Sequence, residues 1–572
     1  MIQHIVMFKF QETACGKTKA ENLEEARQRM LALREQIPQI RGMEVRLAAP
    51  GSAPGNYDYI LISQFDSMEE LEIYQKHPAH VAFGKFVTEL REPDGNERIA
   101  SMLAAPGTPH LRSTLASVLF LAWPAIIEQI MLTLVQYVDT AMVGSLGSNA
   151  TAAVGVTSST TWLFNGFFNA AAIGFSVQVA QHLGAGRQED AKRVTWQSLR
   201  FVGIFGVLMG AIAFVLSFFL PAMLGADPSI RGDASLYFRI MACAMPFTLC
   251  SNMFSAIIRC SGDTRTPMVL NLMINVFNVI LNTLFIYAPR TVDLFGSQVY
   301  VWGFGWGVGG AAFASGLSTA IVACLFLAVV FRKKSPVQIN LKQRYRFDRQ
   351  CLLAAWKLGL PAALERSIIS LAQIVITALI TGIGTVAVAA NHLAVTAESI
   401  SYLPASGVAV AGTTLVGQAI GAGRKDLAQR FARTVSWMGI VIMTFGGSIL
   451  FFFAPQLIQI FSTDPEVIDL GSQVLRIVAF AEPLFGASIV ASGALRGAGD
   501  SKGPFLINLA TMWGVRITLS LALVGSLGLI GVWLAMAAEL CARGLIFMVR
   551  LYRGKWLHID LFAQKAKGAK NS

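Results

Sequence analysis

Beyond residue 112 the polar positions thin out, and the chain becomes a succession of apolar runs separated by short polar turns. Twelve runs are long enough to cross about 30 Å of hydrocarbon as helices. Their approximate limits are 113–139, 150–185, 195–223, 234–259, 266–288 and 304–331, then 350–380, 387–420, 430–454, 468–495, 505–525 and 528–549. Several exceed the minimum length, which predicts tilting or extension past the bilayer. The first 105 residues follow another rhythm. Residues 2–10 alternate as a strand, 21–36 read as an amphipathic helix, and 57–65 form a second apolar strand. Residues 68–76 and 79–91 are helical, and Glu97–Met102 is expected to be a last strand. That pattern suits a small α+β sandwich whose sheet needs a partner to close it. The opening residues alternate too briefly before turning polar to be a signal peptide.

The apolar part repeats itself at a fixed offset of 237 residues. Pro124 pairs with Pro361 and Glu128 with Glu365. The run Val179–Arg193 pairs with Val416–Arg430 at eight identities in fifteen, and Arg259-x-x-Gly-Asp-x-x-x-Pro267 with Arg496-x-x-Gly-Asp-x-x-x-Pro504. Chance does not hold three such matches in one register over some 140 residues. Near residue 288 the register shifts: Gly307-x-x-Gly310 pairs with Gly528-x-x-Gly531 at offset 221, so the first half carries a 16-residue insertion in its fifth loop. Two six-span halves imply parallel repeats about an axis along the membrane normal, the usual build of two transporter lobes around a central path. The organisation expected is an α+β domain (1–105), a linker (106–112), a first lobe (113–331), a linker (332–349), a second lobe (350–552) and a basic tail (553–572).

Charge orients this array. Residues 1–105 hold 12 basic and 15 acidic residues, so the formal +12 of the chain comes from the apolar part. The second, fourth, sixth, eighth and tenth loops carry the arginines and lysines, as does the tail (Arg550, Arg553, Lys555, Lys565, Lys567, Lys570), and the ninth loop is acidic (Asp464, Glu466, Asp469). The positive-inside rule then places both termini in the cytoplasm of a cell membrane. Such a balance fits anionic lipid rather than nucleic acid as the partner. The seven cysteines (15, 243, 250, 260, 324, 351, 541) show no metal-ligand spacing and read as small buried hydrophobes.

Ionisable groups inside a bilayer are expensive, so each is a functional candidate. Glu128 and Asp139 are eleven residues apart in the first span, three turns plus about 20°, on one face about 16 Å apart. Asn271, Asn275, Asn278 and Asn282 form a continuous polar stripe on the fifth span. The repeat supplies a control: Asp139 corresponds to Ile376, Asn278 to Val515 and Asn282 to Leu519, and only Asn271 keeps its partner, Asn508. The coupling site is therefore expected in the first lobe. The second lobe offers Glu365, Glu398, Glu482, Arg516 and Glu539, with Arg516 either neutralised by a glutamate or recognising substrate. Glu128, Glu365, Glu398, Glu482 and Arg516 are the candidates for proton relay or substrate binding. His182 and His392 read as packed histidines. The Gly-Ala-Gly-Arg turns (184–187, 421–424) lack the strand and the GK[ST] of a phosphate cradle. Their glycines are expected to end helices in left-handed geometry, with the arginines of these and the Arg-x-x-Gly-Asp turns at the negative helix ends. No ATP-binding segment is evident and no cofactor is expected, so transport would draw on a proton or sodium gradient.

Several of these features occur together: Val138-Asp139-Thr-Ala-Met-Val-Gly144, the paired Gly-Ala-Gly turns, Leu495-Arg-Gly-Ala-Gly-Asp500 and Asn278-x-x-x-Asn282. Through them, residues 112–552 resemble the multidrug and toxic compound extrusion (MATE) family, in its DinF-like branch. The resemblance implies V-shaped six-helix lobes and cation-coupled export of amphipathic, often cationic compounds. It makes Asp139 the cation or proton carboxylate, with Asn278 beside it. Many members carry Asp where this chain has Asn282, which counts against a high-affinity sodium site and favours protons. A lipid-linked precursor flippase of similar build is the rival class. It would want several intramembrane cations, for which Arg366, Arg476, Arg516 and Arg543 are the candidates.

The front domain resembles the stress-responsive dimeric α/β-barrel (Dabb) family through His4-Ile-Val-x-Phe8, Tyr57-Asp58 and Tyr74-x-x-His77-Pro-x-His80. That resemblance implies a ferredoxin-like fold and a homodimer formed through residues 1–105. Tyr74 and His80 match the acid–base pair of a cyclase in that family, so a binding module and a small cyclase-like enzyme are both implied.

Overall fold

A computed structural model describes residues 1–49, 57–91, 95–104, 109–294, 297–332, 336–340, 345, 347–559 and 561. Lys565, Lys567 and Lys570 of the basic tail lie outside the described residues, as do parts of both linkers. The chain divides into two compact units, Met1–Ser101 and Met102–Ser572.

The first unit runs β1 (Ile2–Phe8), β2 (Thr13–Ala14), β3 (Lys17–Thr18), α1 (Lys19–Gln36), β4 (Gly42–Leu47), β5 (Tyr59–Phe65), α2 (Met68–Lys76) and α3 (Pro78–Leu90), and α4 (Gly95–Ala104) follows across its boundary. Strands β1, β5 and β4 form an antiparallel sheet in that order, Ile2 facing Phe65 and Phe8 facing Tyr59. Period-two alternation sends Tyr59, Leu61 and Phe65 into a core with Ala26, Met30 and Val87 of the helices. Thr18 and Glu21 cap the start of α1 reciprocally. Opposite the helices, Ile5 and Met7 stay about half exposed (53% and 48%), leaving an apolar sheet face uncovered within this unit. One element departs from expectation. The strand predicted at Glu97–Met102 is the helix α4: Ile99 and Met102 are buried three residues apart, the spacing of a helical face rather than a strand. Strand β4, absent from the expected elements, alternates Met43, Val45 and Leu47 toward the core with exposed Glu44 and Arg46, a pattern of only six residues.

In the second unit the first lobe comprises α5 (Leu111–Gly144), α6 (Ser148–Gly184), α7 (Gln188–Leu216), α8 (Leu220–Met223), α9 (Pro228–Cys260), α10 (Arg265–Phe285), the hairpin β6 (Arg290–Leu294) and β7 (Ser297–Val301), and α11 (Gly307–Phe331). The hairpin occupies the predicted insertion. The second lobe comprises α12 (Arg349–Thr381), α13 (Thr385–Gly421), α14 (Lys425–Phe452), α15 (Ala454–Gln459), α16 (Pro465–Ala479), α17 (Glu482–Gly497), α18 (Lys502–Thr511), a π-helical stretch Met512–Ile517 and α19 (Thr518–Arg553).

Twelve spans result, with two amendments. The tenth is a pair, α16 and α17, bent by 59°. The last two run together over 52 residues, about 78 Å of helix and too long for one crossing. Gly528 divides them with φ 56° and ψ −133°, a conformation that needs glycine. Its repeat partner Gly307 has φ 54°, so the shifted register extends to backbone geometry. Local signals repeat as well. Asp227 and Asp464 cap helices that begin at Pro228 and Pro465, and Pro124 and Pro361 sit inside α5 and α12. The lobes meet where α5 and α6 pack on α12 and α13. Small residues permit this approach, since a Cβ on Gly407 would fall 2.6 Å from the Ile126 backbone.

Candidate functional site

Two turns of α10 place Asn278 and Asn282 against α5 and α11. The Asn282 amide donates to Asp139 Oδ1 at 2.6 Å and to Asn278 Oδ1 at 2.9 Å. Asn278 donates to Ser315 Oγ at 3.0 Å, and Ser315 donates to Asp139 Oδ2 at 3.0 Å. Asp139, Asn282, Asn278 and Ser315 therefore close a ring of hydrogen bonds across three helices. Asn278 and Asn282 are buried and Asp139 is half-buried. Among the described residues no cation lies within 4.0 Å of the Asp139 carboxylate, whose partners are all neutral. A carboxylate held this way can accept a proton or cation and rearrange three helices on doing so. Ser315 is not among the candidates read from the sequence; its signal is a hydroxyl in an apolar span.

The polar stripe on α10 splits into two. Its other end, Asn271, donates to Glu128 Oε1 at 2.6 Å, and Ser255 donates to the same oxygen at 3.0 Å. Arg259 completes an ion pair with Glu128. The second lobe repeats the arrangement at the same offset: Arg496 and Asn508 each reach Glu365 Oε1 at 2.7 Å. Both glutamates are buried. Glu128 and Glu365, the candidates for relay or substrate binding, here form matched clamps, each tying three helices of its lobe. Arg259 and Arg496 stand in the last turns of α9 and α17, at helix ends as expected, and from there their side chains reach inward to the glutamates. The aspartates of those turns cap the next helix: Thr266 N–H donates to Asp263 at 3.0 Å, and Gly503 N–H to Asp500 at 2.9 Å.

Glu398, Glu482 and Arg516 do come together, in a buried cluster of the second lobe with Glu539 and Arg543. Ser401 donates to Glu482 at 2.7 Å, Thr511 donates to Glu539 at 2.9 Å, and Arg543 lies 3.3 Å from Glu539. Arg516 sits in the π-helical stretch, its guanidinium 3.1 Å from Met536 Sδ, with Glu539 and Glu398 in electrostatic range. Among the described residues no carboxylate is within 4.0 Å of it, so the direct neutralisation expected for Arg516 falls to Arg543 instead. Three carboxylates face two arginines, leaving the cluster one formal charge short.

At the end of the bundle bearing the basic turns, the lobes are laced together by a pseudo-twofold set of contacts. Gln181 donates to the Gly497 carbonyl at 3.1 Å, and its repeat partner Gln418 donates to the Cys260 carbonyl at 3.1 Å. Positions 260 and 497 are themselves repeat partners. A Cβ on Gly184 would run into the Gln418 carbonyl, and one on Gly421 into the Gln181 carbonyl. The first glycine of each Gly-Ala-Gly-Arg turn therefore serves the lobe seam. The second, Gly186 or Gly423, takes the left-handed helix-ending conformation at φ 70° or 74°. Of the two histidines, His182 is buried near this seam and His392 is exposed.

In the first unit Tyr74 and His80 meet with ring centroids 4.2 Å apart, and His4 lies 6.3 Å from Tyr74. The Tyr74 hydroxyl is buried without a hydrogen-bond partner. Burial pushes its pKa up and that of His80 below the ordinary 6.5. A neutral imidazole beside a neutral phenol results. His77 instead caps α3, accepting from the Ala79 N–H at 3.3 Å.

Comparison with known proteins supports this architecture. The MatE family profile matches residues 124–284 and 361–521, two segments offset by 237. The Stress responsive A/B Barrel Domain profile matches residues 2–100. A probable multidrug resistance protein NorM of Thermotoga maritima is 28% identical over 455 residues, covering 78% of this chain and 94% of its own length. A protein of the same description from Acinetobacter baylyi is 29% identical over 454 residues, covering 77% and 96%. Among solved structures, one described as the outward-facing conformation of a multidrug resistance MATE family transporter superposes with a TM-score of 0.71 at 22% identity, covering 82% of this chain and 99% of its own. With both lobes matched in register and the helix bundle shared, the chain belongs to the MatE family of membrane transporters and carries a stress-responsive A/B barrel domain at its front.

Proposed function

We propose that this transporter exports amphipathic, often cationic small molecules in exchange for protons, with Asp139 as the coupling carboxylate. The observation that carries this reading is the ring of Asp139, Asn278, Asn282 and Ser315, an intramembrane carboxylate with only neutral partners. Protonation removes the charge that organises α5, α10 and α11, and so biases the two lobes between states. A single carboxylate among two amides and a hydroxyl offers little negative charge for sodium, which favours the proton. The names of the NorM relatives support a drug-like substrate. The laced seam corresponds to a bundle closed on its basic, cytoplasmic side, with both termini in the cytoplasm and the protein in the cell membrane.

The flippase alternative is less well supported. Of its four candidate cations, Arg516 and Arg543 lie in the glutamate cluster and Arg476 is exposed, donating to the Phe451 carbonyl at 3.4 Å. Only Arg366 stands at the lobe junction, against Gly166. For residues 1–101 we infer a module that dimerises through the sheet face bearing Ile5 and Met7 and takes a ligand beside Tyr74 and His80. Neutral forms of both side chains suit hydrogen bonding to a ligand, and they are equally the forms in which the cyclase-like alternative would use His80 as base and Tyr74 as acid.

The decisive experiment is export from proteoliposomes under an imposed proton gradient and then a sodium gradient, for the parent and Asp139→Asn. Proton-driven export by the parent, absent from the variant, is expected. Full activity of the variant under either gradient overturns the assignment.

A further inference from the structure

The surface between α5 and α14 holds a groove of about 980 Å³ with two unlike ends. Leu111, Leu115 and Leu119, four apart on one face of α5, form one apolar wall, and Trp437 and Val441 of α14 form the other. At the basic end lie Arg430 and Arg433. Among the described residues neither has a carboxylate within 4.0 Å. The acid on this rim, Asp426, is already held by Arg424 at 2.8 and 3.0 Å. Arg433 stacks over the Tyr552 ring at 4.8 Å, and Trp437 donates to the Tyr552 hydroxyl at 3.3 Å, an aromatic pair of the kind that sits at a headgroup boundary. From Arg430 to Val441 the helix rises about 16 Å, close to the thickness of one hydrocarbon leaflet.

This combination selects its occupant. A soluble anion would leave the leucine wall wet, and a cationic amphipath would meet two arginines. An anionic head with acyl chains satisfies both ends. We propose that the groove is a binding site for an anionic phospholipid of the leaflet on the basic face. Since α5 belongs to the first lobe and α14 to the second, the bound lipid spans the two and favours the state in which that face is closed.

The test uses the full chain, purified in detergent and titrated with phosphatidylglycerol or phosphatidylcholine. Retained lipid is read by native mass spectrometry and the shift in Tm by intrinsic fluorescence. The parent should retain phosphatidylglycerol selectively and gain Tm from it. Arg430→Gln/Arg433→Gln should lower its retention about tenfold or more and abolish the shift. Leu115→Trp, which fills the apolar end, should do the same with both arginines intact, so poor folding of the charge variant does not leave the question open. Equal retention of the two lipids by the parent, or unchanged phosphatidylglycerol retention in a folded Leu115→Trp variant, overturns the site.

Discussion

The two lobes kept the same scaffold and diverged in the polar and charged groups they bury beyond it. Glu128–Arg259–Asn271 and Glu365–Arg496–Asn508 are the same clamp twice. The seam contacts through Gln181 and Gln418 are likewise exchanged by the repeat. Around Asp139, by contrast, the second lobe has only Ile376, Val515 and Leu519 at matching positions. Its own buried charges gather about Glu398, Glu482 and Glu539. What is needed to hold a lobe together and to close two lobes is symmetric. Under the proposed coupling role of Asp139, ion sensing need not be symmetric, because one switching carboxylate suffices to bias an equilibrium shared by both lobes.

The comparison breaks most visibly at the carboxylate. Asp139→Asn should cut gradient-driven export about tenfold or more, whereas Ile376→Asn, the same amide in the other lobe, should change it less than about twofold. Equal losses would make the asymmetry irrelevant to coupling. The clamps should show the opposite. Glu128→Ala and Glu365→Ala each strand a part-buried arginine and should each cost about 1–3 kcal/mol of stability, seen as similar falls in unfolding temperature in detergent. If Glu128→Gln silenced export with Tm preserved while Glu365→Gln did not, Glu128 would hold a relay role.

A smaller effect is expected at the seam. Gln181→Ala or Gln418→Ala should each weaken closure by about 1 kcal/mol, roughly a fivefold change in the open-to-closed ratio. Spin-label distances across the basic face would report it, and unequal effects of the two substitutions would reveal asymmetry there too. The least effect concerns the front unit. Burial lowers the His80 pKa below 6.5, and that of His4 likewise, so below about pH 6.5 the unfolded chain binds protons that the folded one refuses. Stability of residues 1–101 should be full above that pH and decline as pH falls further, with His80→Asn reducing the slope. A urea midpoint identical at pH 8 and pH 5 would count against this.

Much of the molecule was legible in its residues, for identifiable reasons. Long apolar runs admit few structures other than helices in a bilayer, because every backbone group must be satisfied within the segment. The fixed offset made the two lobes readable as copies, and the failure of Asp139, Asn278 and Asn282 to recur singled out three residues that the structure brings together. Where the sequence misled, the cause was short range. Glu97–Met102 carries too few residues to separate strand from helix by period alone. The glycines of the basic turns have two jobs, of which a chain read in one dimension shows only the helix-ending one.

Residue order alone determined which segments are helices, that there are two copies, and that Asp139 has no carboxylate counterpart in the second. It could not say that Asn271 and Asn282, on one stripe, serve different carboxylates, or that Ser315 closes a ring around Asp139. Nor could it say that Arg259 and Arg496 turn inward to Glu128 and Glu365, or that Gln181 and Gln418 lace opposite lobes. Those pairings join helices more than a hundred residues apart, except for Ser315 and Asn278, which are 37 apart on neighbouring helices. They are decided by helix rotation and close packing at small residues, quantities that a repeat constrains to be equal in two lobes but does not itself specify.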